Sequence, residues 1–583
     1  MGMNTGYPVG GDSGGSLKLD GYYRDESTGK EIAFEYMGCV FHGCVKCFPQ
    51  RDLDTVVRHP HTGQLLSEMY ELTKSRLKYL KEELGFEVRV MWECEFNALM
   101  TNNAILRALA KEMDLQPRLN PRDSFYGGRT NAVKLFREST ERVKIGYVDI
   151  CSLYPMVLKN DEFPVGIPEV IVAPKSVDIR KYFGLIQCRV RPPRGLYHPC
   201  LPLRSNGKLM FPLCRTCANT MNTKGCKCSD EKRDLIGTWT TVDMEDALRV
   251  GYIVIKVYEV YHFEKRAKYE RGVEGSGLFA EYVNLFLKGK QEASGWPSDD
   301  MTDEEKRLYV EDYARTEGVK LDPENISYNS GKRATNKLLL NSFWGKFGEN
   351  SNHAISKVVT NTSELFNVMG DHSKTIKNAN VFAPDRCFLT LEHSEGFTPE
   401  IPHVNVFIAA FTTANARRRL YRTLLGLGER VIYFDTDSCV FEYDETDSDS
   451  YKPELGNHLG QWTNELKEDE YIAKFVSSGP KSYAYVTNTG RKIVKLKGQT
   501  LNYENAQKLN FVTICRLVLF WANPDKYALP EGVKPYVEAK YDKILRDKKS
   551  WTLFSREELK KFRVTYDKRC LIPDTFDTLP YGY

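Results

Sequence analysis

The chain has 583 residues, of which 41% are hydrophobic and 12% aromatic, enough apolar material for several cores rather than one. Its longest apolar run, residues 511–522, is interrupted by Arg516 and is shorter than the roughly 20 residues that a membrane-spanning helix needs. A net charge of +4 permits contacts with nucleic acid through local basic patches but does not by itself indicate them. We therefore expect a multidomain protein with no membrane span, whose function must be inferred from its motifs.

The N-terminal residues 1–16 are rich in glycine and predict a flexible segment. They have neither the basic start nor the apolar stretch of a secretory signal, so we expect an intracellular location, cytoplasmic or nuclear. Eight of the 15 cysteines fall into two sets with metal-ligand spacing. That grouping favours reduced thiols and zinc over disulfides.

The remaining chain predicts a mixed α+β architecture. Residues 17–118 form a small α/β unit, with strands over 31–36 and 87–91 and an amphipathic helix over 65–84. Beyond a boundary near 117–121, short strands that carry acidic residues alternate with helical patterns, and the tail after residue 501 is predicted to be mainly helical.

Two apolar strands end in aspartates. The run Gly-Tyr-Val-Asp-Ile-Cys-Ser-Leu-Tyr-Pro at 146–155 brings Asp149 to a strand end, and Val-Ile-Tyr-Phe-Asp-Thr-Asp-Ser at 431–438 predicts a hairpin whose turn carries Asp435 and Asp437. Carboxylates in such positions suit two Mg²⁺ ions and phosphoryl transfer. The plainer alternative is that these aspartates only cap turns.

A basic helix is predicted between these strands, at 332–348. Arg333, Lys337 and Asn341 recur every four residues and form one polar stripe. Two cations one turn apart suit a triphosphate, and the asparagine leaves room for a base pair. A solvated basic face is the alternative.

Together these segments resemble motifs A, B and C of B-family DNA polymerases, except that Trp344 replaces the usual tyrosine of motif B. The resemblance implies a right-hand polymerase that extends a DNA primer with deoxynucleoside triphosphates. It implies that Asp149 and Asp437 bind both magnesium ions, assisted by the Ile150 carbonyl and supported by Asp435. The nucleotide-binding residues that it implies are Ser152, Leu153, Tyr154, Arg333, Lys337 and Asn341, with Tyr154 excluding ribonucleotides.

Two further segments resemble DNA-contacting elements of that family. Residues 478–485 resemble its Lys-x-Tyr motif, and 126–131 resembles the Tyr-x-Gly-Gly element that holds the template strand in protein-primed members. In isolation they are surface lysines and a turn. The expected DNA-binding residues, whose phosphate contacts predict strong salt dependence, are Tyr126, Gly127, Gly128, Lys481, Tyr483, Lys495 and Lys497.

The cysteines predict two zinc sites, alternatively ordinary thiols. One set, within a cysteine-rich insertion at about 212–230, is Cys214, Cys217, Cys226 and Cys228; the other is Cys39, Cys44, Cys47 and Cys94.

The pattern at 38–44 and 92–94 resembles mismatch endonucleases of very-short-patch repair. That resemblance implies a metal-binding Asp20 and a catalytic His42. The restriction-type Glu-x-Lys stands here as Glu35-Tyr36-Met37 and lacks its lysine, so a structural relic or DNA-docking module is the alternative.

Three features stand together: the endonuclease-like unit ahead of motif A, the run Ile-Ala-Ala-Phe-Thr-Thr-Ala-Asn-Ala-Arg within 405–421, and the final Thr-Leu-Pro-Tyr-Gly-Tyr. With them, nearly the whole chain resembles the polymerases of Polinton/Maverick self-synthesising transposons, which implies a terminal protein as primer. The Asp-x-Glu triplet of a proofreading exonuclease is found only after motif A, as at Asp243-Met244-Glu245, so we expect no proofreading. The expected layout is an endonuclease-like domain at 17–118, a palm at 119–277 and 351–500, fingers at 278–350 and a thumb at 501–583.

Two other functions are compatible with parts of this sequence. A reverse transcriptase is disfavoured because Thr436 separates Asp435 from Asp437, whereas those enzymes carry adjacent aspartates. A non-catalytic DNA-binding relic of a transposon stays open as the alternative.

Overall fold

The computed structural model describes residues 6–8, 16–49, 58–59, 63–112, 114, 116–383, 386–394, 397, 401–447, 449–546 and 553–583. Apart from 6–8 and Ser16, the predicted flexible N-terminus lies outside these residues. The α-helices of the described residues are α1 (Leu66–Lys78), α2 (Glu93–Asn102), α3 (Ala104–Glu112), α4 (Leu153–Asn160), α5 (Arg215–Thr220), α6 (Asp230–Arg233), α7 (Thr241–Arg249), α8 (Ala280–Glu292), α9 (Asp303–Glu317), α10 (Ser330–Phe347), α11 (Thr362–Met369), α12 (Val406–Leu427), α13 (Tyr503–Lys508) and α14 (Phe511–Ala522).

The strands complete an α+β fold, as the sequence predicted. They are β1 (Gly6–Pro8), β2 (Ser16–Lys18), β3 (Gly21–Arg24), β4 (Glu31–Met37), β5 (Glu87–Trp92), β6 (Thr130–Ala132), β7 (Phe136–Glu138), β8 (Val143–Ile150), β9 (Phe163–Val165), β10 (Glu169–Val172), β11 (Gly184–Arg191), β12 (Leu203–Ser205), β13 (Lys208–Met210), β14 (Leu235–Thr240), β15 (Ile253–His262), β16 (Lys265–Ala267), β17 (Ile355–Val359), β18 (Lys374–Ala383), β19 (Arg386–His393), β20 (Val431–Asp435), β21 (Ser438–Asp444), β22 (Trp462–Asn464), β23 (Ile472–Gly479), β24 (Ser482–Thr487), β25 (Lys492–Leu496), β26 (Val537–Arg546), β27 (Leu553–Phe562), β28 (Cys570–Leu571) and β29 (Thr578–Leu579).

The chain divides into two compact units. The first comprises 1–117 with 349–404, and the second comprises 118–348 with 405–583. This division departs from the predicted layout, which placed 351–500 in one piece. The segment 349–404 has a core of its own beneath the sheet β17-β19-β18, formed by Val359, Val368, Leu389 and Leu391.

The first unit contains the predicted α/β elements. Strand β4 lies between β3 and β5, antiparallel to the first and parallel to the second. Helix α1 continues through a π-helical turn, Tyr79–Glu83, so Leu80 enters a core with Leu19, Ala33 and Phe86. The alternating burial of β4 gives the sheet one covered face.

The second unit is built around an antiparallel sheet in the order β25-β24-β23-β8-β21-β20-β6, with β22 paired to β8 and β7 to β23. Successive side chains of a strand point to opposite faces. Ile145 and Tyr147 of β8 therefore pack in the core that includes α14, whereas Val148 and Ile150 pack in the core that includes α4 and α12.

The prediction of a mainly helical tail is wrong. Helices α13 and α14 are followed by the long hairpin β26–β27 and the short pair β28–β29. Ala539 and Tyr541 are buried two residues apart, which is the period of a strand rather than of a helix. Among the described residues, no helix is both long and apolar enough to cross a membrane.

Candidate active site

Two aspartates that are far apart in the sequence lie close together, one near the end of β8 and the other in the turn between β20 and β21. Asp149 is the penultimate residue of β8, where its register partner on β21 is Ser438. The amide of Ile150 donates a 2.6 Å hydrogen bond to the carbonyl oxygen of Asp437. The tight turn between β20 and β21 thus brings the Asp437 carboxylate to the end of the strand that carries Asp149.

The carboxylates in this region repel one another. Burial, followed by the charges of Asp437 and Glu465, raises the pKa of Asp149 to about 7. Burial raises the pKa of Asp437 as well, and the neighbouring Asp435 adds to the effect. A cluster of partly buried carboxylate oxygens has the donor chemistry that Mg²⁺ prefers, because a bound cation would relieve both repulsion and desolvation.

Glu465 was not identified from the sequence. It follows β22, and its amide donates to the carbonyl of Tyr147 at 3.0 Å. Only the pairing of β22 with β8 brings Glu465 near Asp149. The motif that contains Asp149 gives no sign of that pairing.

Asp435 differs from the other two aspartates because it is already paired. Its Oδ1 accepts hydrogen bonds from Lys481 Nζ at 2.9 Å and from Thr130 Oγ1 at 2.7 Å. Lys481 itself has a φ of 60° and an exposed side chain. The charge of Asp435 is therefore offset within the protein.

The Gly-Gly turn packs against the aspartate hairpin. Thr436, with a φ of 58°, donates its amide to the carbonyl of Arg129 at 2.8 Å. A Cβ on Gly128 would lie 2.6 Å from Thr436 Oγ1, closer than van der Waals contact allows. Glycine is required at 128 for this close approach.

The opposite side of the Gly-Gly turn is held by a buried ion pair. Arg417 of α12 donates to the carbonyl of Tyr126 at 2.7 Å and to both carboxylate oxygens of Asp243. Arg417 and Asp243 are each more than nine-tenths buried. The carboxylate of the Asp243-Met244-Glu245 triplet is therefore committed to a structural ion pair.

Helix α10 presents the predicted polar stripe. Arg333, Lys337 and Asn341 are all exposed. The positive charge of Lys337 acts on Asp149 and partly opposes the rise in the pKa of that carboxyl. Lys290 on the adjacent α8, which sequence reasoning missed, donates to Ser152 Oγ at 3.2 Å. Its pKa is lowered by burial and by the neighbouring cations.

Lys290 carried no distinguishing signal in the sequence. Its place beside α10 results from the packing of α8, in which Asn336 leaves no room for a Cβ on Gly289.

Tyr154 lies directly after the strand that carries Asp149. Its ring stacks on Trp344 of α10, with centroids 4.4 Å apart and planes at 13°. The tryptophan thus provides the flat surface expected of motif B. Ser152 has a φ of 51° at the start of α4, and Leu153 is only 1% exposed, so Leu153 can contact a ligand only through its backbone.

The expected DNA contacts by two tyrosines need correction. Tyr126 and Tyr483 are each 4% exposed. The Tyr483 hydroxyl is 3.0 Å from that of Tyr147, within the second core. Lys481 precedes β24, so it does not share a strand face with Tyr483. Both tyrosine rings are buried by packing and cannot contact DNA directly, whereas the side chains of Lys481, Lys495 and Lys497 are exposed.

A basic groove, also missed from the sequence, lies beside the Lys481 turn. It runs between that turn and the end of β27, and burial together with the charge of Lys497 lowers the pKa of Lys568. Its cationic lining residues are Lys208, Lys497, Lys561, Arg563 and Lys568. These positions are scattered along the chain, so no local basic run announced them.

Both predicted cysteine sets come together in the structure. Within each set the sulfur atoms lie within 4.8 Å of one another. Cys44 and Cys94 are 3.8 Å apart at Sγ, and Cys217 and Cys228 are 3.9 Å apart. A tetrahedral zinc with bonds of about 2.3 Å separates its sulfurs by about 3.8 Å, so both sets fit such an ion.

In the first unit, the residues compared with an endonuclease site lie near one another. The charges of Asp20 and Glu35 both act on the His42 ring, whose pKa is lowered mainly by burial. Glu35 is held by two hydrogen bonds from Arg76, at 2.9 and 3.0 Å. Both carboxylate oxygens of Glu35 therefore accept hydrogen bonds from Arg76.

Parts of the chain are similar to known DNA polymerases. Residues 94–302 match the family described as DNA polymerase type B, organellar and viral. This segment includes Asp149 but ends before Asp437. A probable DNA polymerase of Neurospora intermedia is 22% identical over 390 residues, which are 64% of this chain and 32% of that protein. The chain thus spans about a third of the length of that relative.

Similar solved structures are complexes of Phi29 DNA polymerase. The ternary complex with primer-template DNA and incoming nucleotide has 16% identity and a TM-score of 0.46, covering 86% of this chain and 72% of that one. The binary complex with primer-template DNA has 15% identity and a TM-score of 0.45, covering 89% and 78%.

Proposed function

We propose that the chain is a DNA-directed DNA polymerase of the B family, which adds deoxynucleotides to a primer 3′-hydroxyl. One observation carries the proposal: Asp437, in the turn between β20 and β21, meets the end of β8 that carries Asp149, through the 2.6 Å hydrogen bond that the Ile150 amide donates to the Asp437 carbonyl. The match of residues 94–302 to type B DNA polymerases supports the same reaction class.

Asp149 and Asp437 would hold two magnesium ions, with the Ile150 carbonyl and Glu465 near enough to assist. Such ions neutralise charge on the attacking and leaving oxygens of phosphoryl transfer. The primer hydroxyl attacks the α-phosphate in line, a new phosphodiester bond forms, and pyrophosphate leaves. Asp435 orients the hairpin through Lys481 and Thr130.

The nucleotide would bind between α4 and α10. Arg333 and Lys337 offset charge on the pyrophosphate, Lys290 adds a third cation, and Asn341 faces the base pair. Tyr154, stacked on Trp344, forms a floor under the sugar that would collide with a 2′-hydroxyl. Ser152 and Leu153 contribute backbone groups.

DNA would be held by phosphate contacts. The exposed Lys481, Lys495 and Lys497 lie on one side of the hairpin and continue into the basic groove lined by Lys561 and Lys568. Gly127 and Gly128 offer backbone without a side chain. Such contacts position a duplex without reading its sequence.

The hand layout extends this proposal. The sheet that carries Asp149 and Asp437 serves as the palm, 278–350 as fingers and 501–583 as thumb. A terminal protein as primer and an origin in Polinton/Maverick transposons are proposed from the resemblance of the sequence alone.

Primer extension with Mg²⁺ tests the function. Asp437→Asn keeps the side-chain volume and removes the charge, so extension should fall by at least about 1,000-fold while DNA binding is retained. Asp444→Asn, at the far end of β21, the strand that follows Asp437, is the matched control and should extend primers normally. A wild-type protein that binds DNA but never extends a primer would favour the transposon relic instead.

Zinc is the cofactor that we propose for both cysteine clusters, because their sulfur separations match a tetrahedral site. Zinc in these positions is structural: all four thiols of each cluster would be ligands, which leaves no open coordination position for chemistry.

A second candidate activity, DNA nicking by the first unit, is favoured by the proximity of Asp20 and Glu35 to His42. The Glu35–Arg76 pair opposes it, because Glu35 is not free to bind a metal. Supercoiled plasmid incubated with the protein and Mg²⁺ should acquire nicks that His42→Ala abolishes. If the plasmid stays intact with the wild type, this unit is a DNA-docking module or a relic.

A further inference from the structure

The segment 566–583, here called the strap, runs antiparallel alongside residues 133–135, which follow β6. The amide of Thr578 donates to the Val133 carbonyl at 2.9 Å, and the Leu135 amide donates to the Phe576 carbonyl at 2.8 Å. Arg569, 5% exposed, donates to the hydroxyl of Thr578 at 2.9 Å. One end of the strap is thus bonded along residues 133–135, directly after β6.

The other end of the strap lies on the second cysteine cluster. The Leu213 amide donates to the Tyr581 carbonyl at 2.7 Å, and Tyr581 is 2% exposed in a cluster with Cys214 and Cys217. Gly582, at a φ of 90°, approaches so closely that a Cβ there would lie 2.4 Å from the Cβ of Cys214.

A third contact connects the strap to the cluster. Cys570 donates its thiol to the carbonyl of Asn222 at 3.2 Å, and the Asn222 side-chain amide donates to Cys217 Sγ at 3.5 Å. The loop that provides these partners, 214–228, contains only the six-residue helix α5. The second half of this loop, residues 221–228, belongs to no helix or strand, so zinc bound by Cys226 and Cys228 would join it to α5.

We propose that zinc bound by Cys214, Cys217, Cys226 and Cys228 fastens the strap, and through it supports β6 beside the catalytic hairpin. The inference rests on the zinc proposed above. Strand β6 pairs with β20, with Thr130 opposite Asp435. Metal that orders the loop therefore orders the carbonyl and sulfur groups to which the strap is bonded, since zinc binding and local folding share one free energy.

Zinc content and hydrogen exchange of the full chain together test this. We expect about two zinc ions per chain, as counted from the two sulfur clusters. Cys226→Ser should lose one ion and should speed amide exchange at Leu213, Ile572 and Thr578 by at least about tenfold. Cys47→Ser should also lose one ion, but from the other cluster, and should leave these amides protected. Cys570→Ser, a neighbour of the cluster but not a ligand, should keep both ions.

Thr578→Val loosens the strap without touching the cysteines. It removes the hydroxyl that donates to the Val133 carbonyl at 2.8 Å and accepts from Arg569 at 2.9 Å, so zinc should be retained while exchange in the strap accelerates. Protein that contains zinc yet shows unchanged strap protection after Cys226→Ser or chelation would overturn the strap inference alone. Wild-type protein without zinc would overturn the zinc proposal and the strap together. Neither result alters the primer-extension test.

Discussion

Lys481 forms an ion pair with Asp435, with its Nζ 2.9 Å from the carboxylate oxygen. The backbone of Lys481 is fixed as well, because its amide donates a 2.9 Å hydrogen bond to the hydroxyl of the buried Tyr433. This lysine thus joins the turn before β24 to the aspartate hairpin. Its exposed side chain would touch both the hairpin and a bound primer phosphate.

Replacement of Lys481 should therefore impair primer use more than folding. Lys481→Met is expected to lower kcat/KM for primer-template by at least about tenfold, and Lys481→Arg should restore part of that loss. Steady-state extension at two salt concentrations measures the effect. Lys474→Met is the control. It removes a lysine of β23 that forms an ion pair with Glu138 of β7. Equal losses in both variants would argue against a specific role for Lys481.

Tyr154 should control the choice of sugar. Tyr154→Ala removes the ring that stacks on Trp344 and is expected to raise ribonucleotide incorporation relative to deoxynucleotide by at least about tenfold. Tyr154→Phe keeps the ring and should discriminate like the wild type. Single-nucleotide extension with matched ribo- and deoxynucleotides measures the ratio, and an unchanged ratio in the alanine variant would refute the sugar-floor role.

The raised pKa of Asp149 predicts a stability change with pH. Its folded pKa of about 7 lies above the ordinary value of 3.8, so the folded state binds more protons between these values. The free energy of unfolding should therefore fall as pH rises from about 4 to about 7. Asp149→Asn removes this penalty. Without added divalent cations at pH 8, the variant should melt about 1 °C higher, on the order of 1 kcal/mol after solvent screening.

Thermal denaturation at pH 5 and pH 8 checks this prediction. The gain should shrink at pH 5, where the wild-type carboxyl is largely protonated. Mg²⁺ should stabilise the wild type more than the variant, because the ion relieves the same repulsion. Asp444→Asn is the control, since hydrogen bonds to Thr446 lower the pKa of Asp444 and its loss should not stabilise. A variant that melts below the wild type at pH 8 contradicts the argument.

Short motifs predicted the centre of the site but not its surroundings. Asp149 and Asp437 were expected to meet, and the register of β8 and β21 brings them together. Glu465 and Lys290 could not be found in this way, because their positions depend on which strand β22 pairs with and on how α8 packs. Local patterns encode turns and strand ends, whereas such approaches depend on the pairing of distant segments.

Two predictions fail for the same reason. The sequence predicts that Tyr483 contacts DNA together with Lys481, but a positive φ at Lys481 ends the strand periodicity there, and the Tyr483 ring lies in the core. The tail beyond 501 was expected to be helical, whereas the hairpin β26–β27 is stabilised by cross-strand pairing and by the burial of Ala539 and Tyr541. Tertiary packing overrode local propensity in both places.

The two glycines of the Gly-Gly turn should behave differently, although they are neighbours. A methyl group on Gly128 would lie 2.6 Å from Thr436 Oγ1 and 2.8 Å from its Cγ2, whereas a methyl group on Gly127 would meet nothing within 4 Å. Gly128→Ala must therefore displace Thr436. The hydrogen bond from the Thr436 amide to the Arg129 carbonyl fixes the turn between Asp435 and Asp437. An overlap of this kind costs about 1–3 kcal/mol. Primer extension should fall by about 10- to 100-fold in Gly128→Ala and by less than about tenfold in Gly127→Ala, whose methyl group displaces no protein atom and can only crowd the bound DNA. Circular dichroism and melting of both proteins distinguish a displaced turn from a failure to fold, and equal activity in the two variants would show that the contact with Thr436 does not position the hairpin.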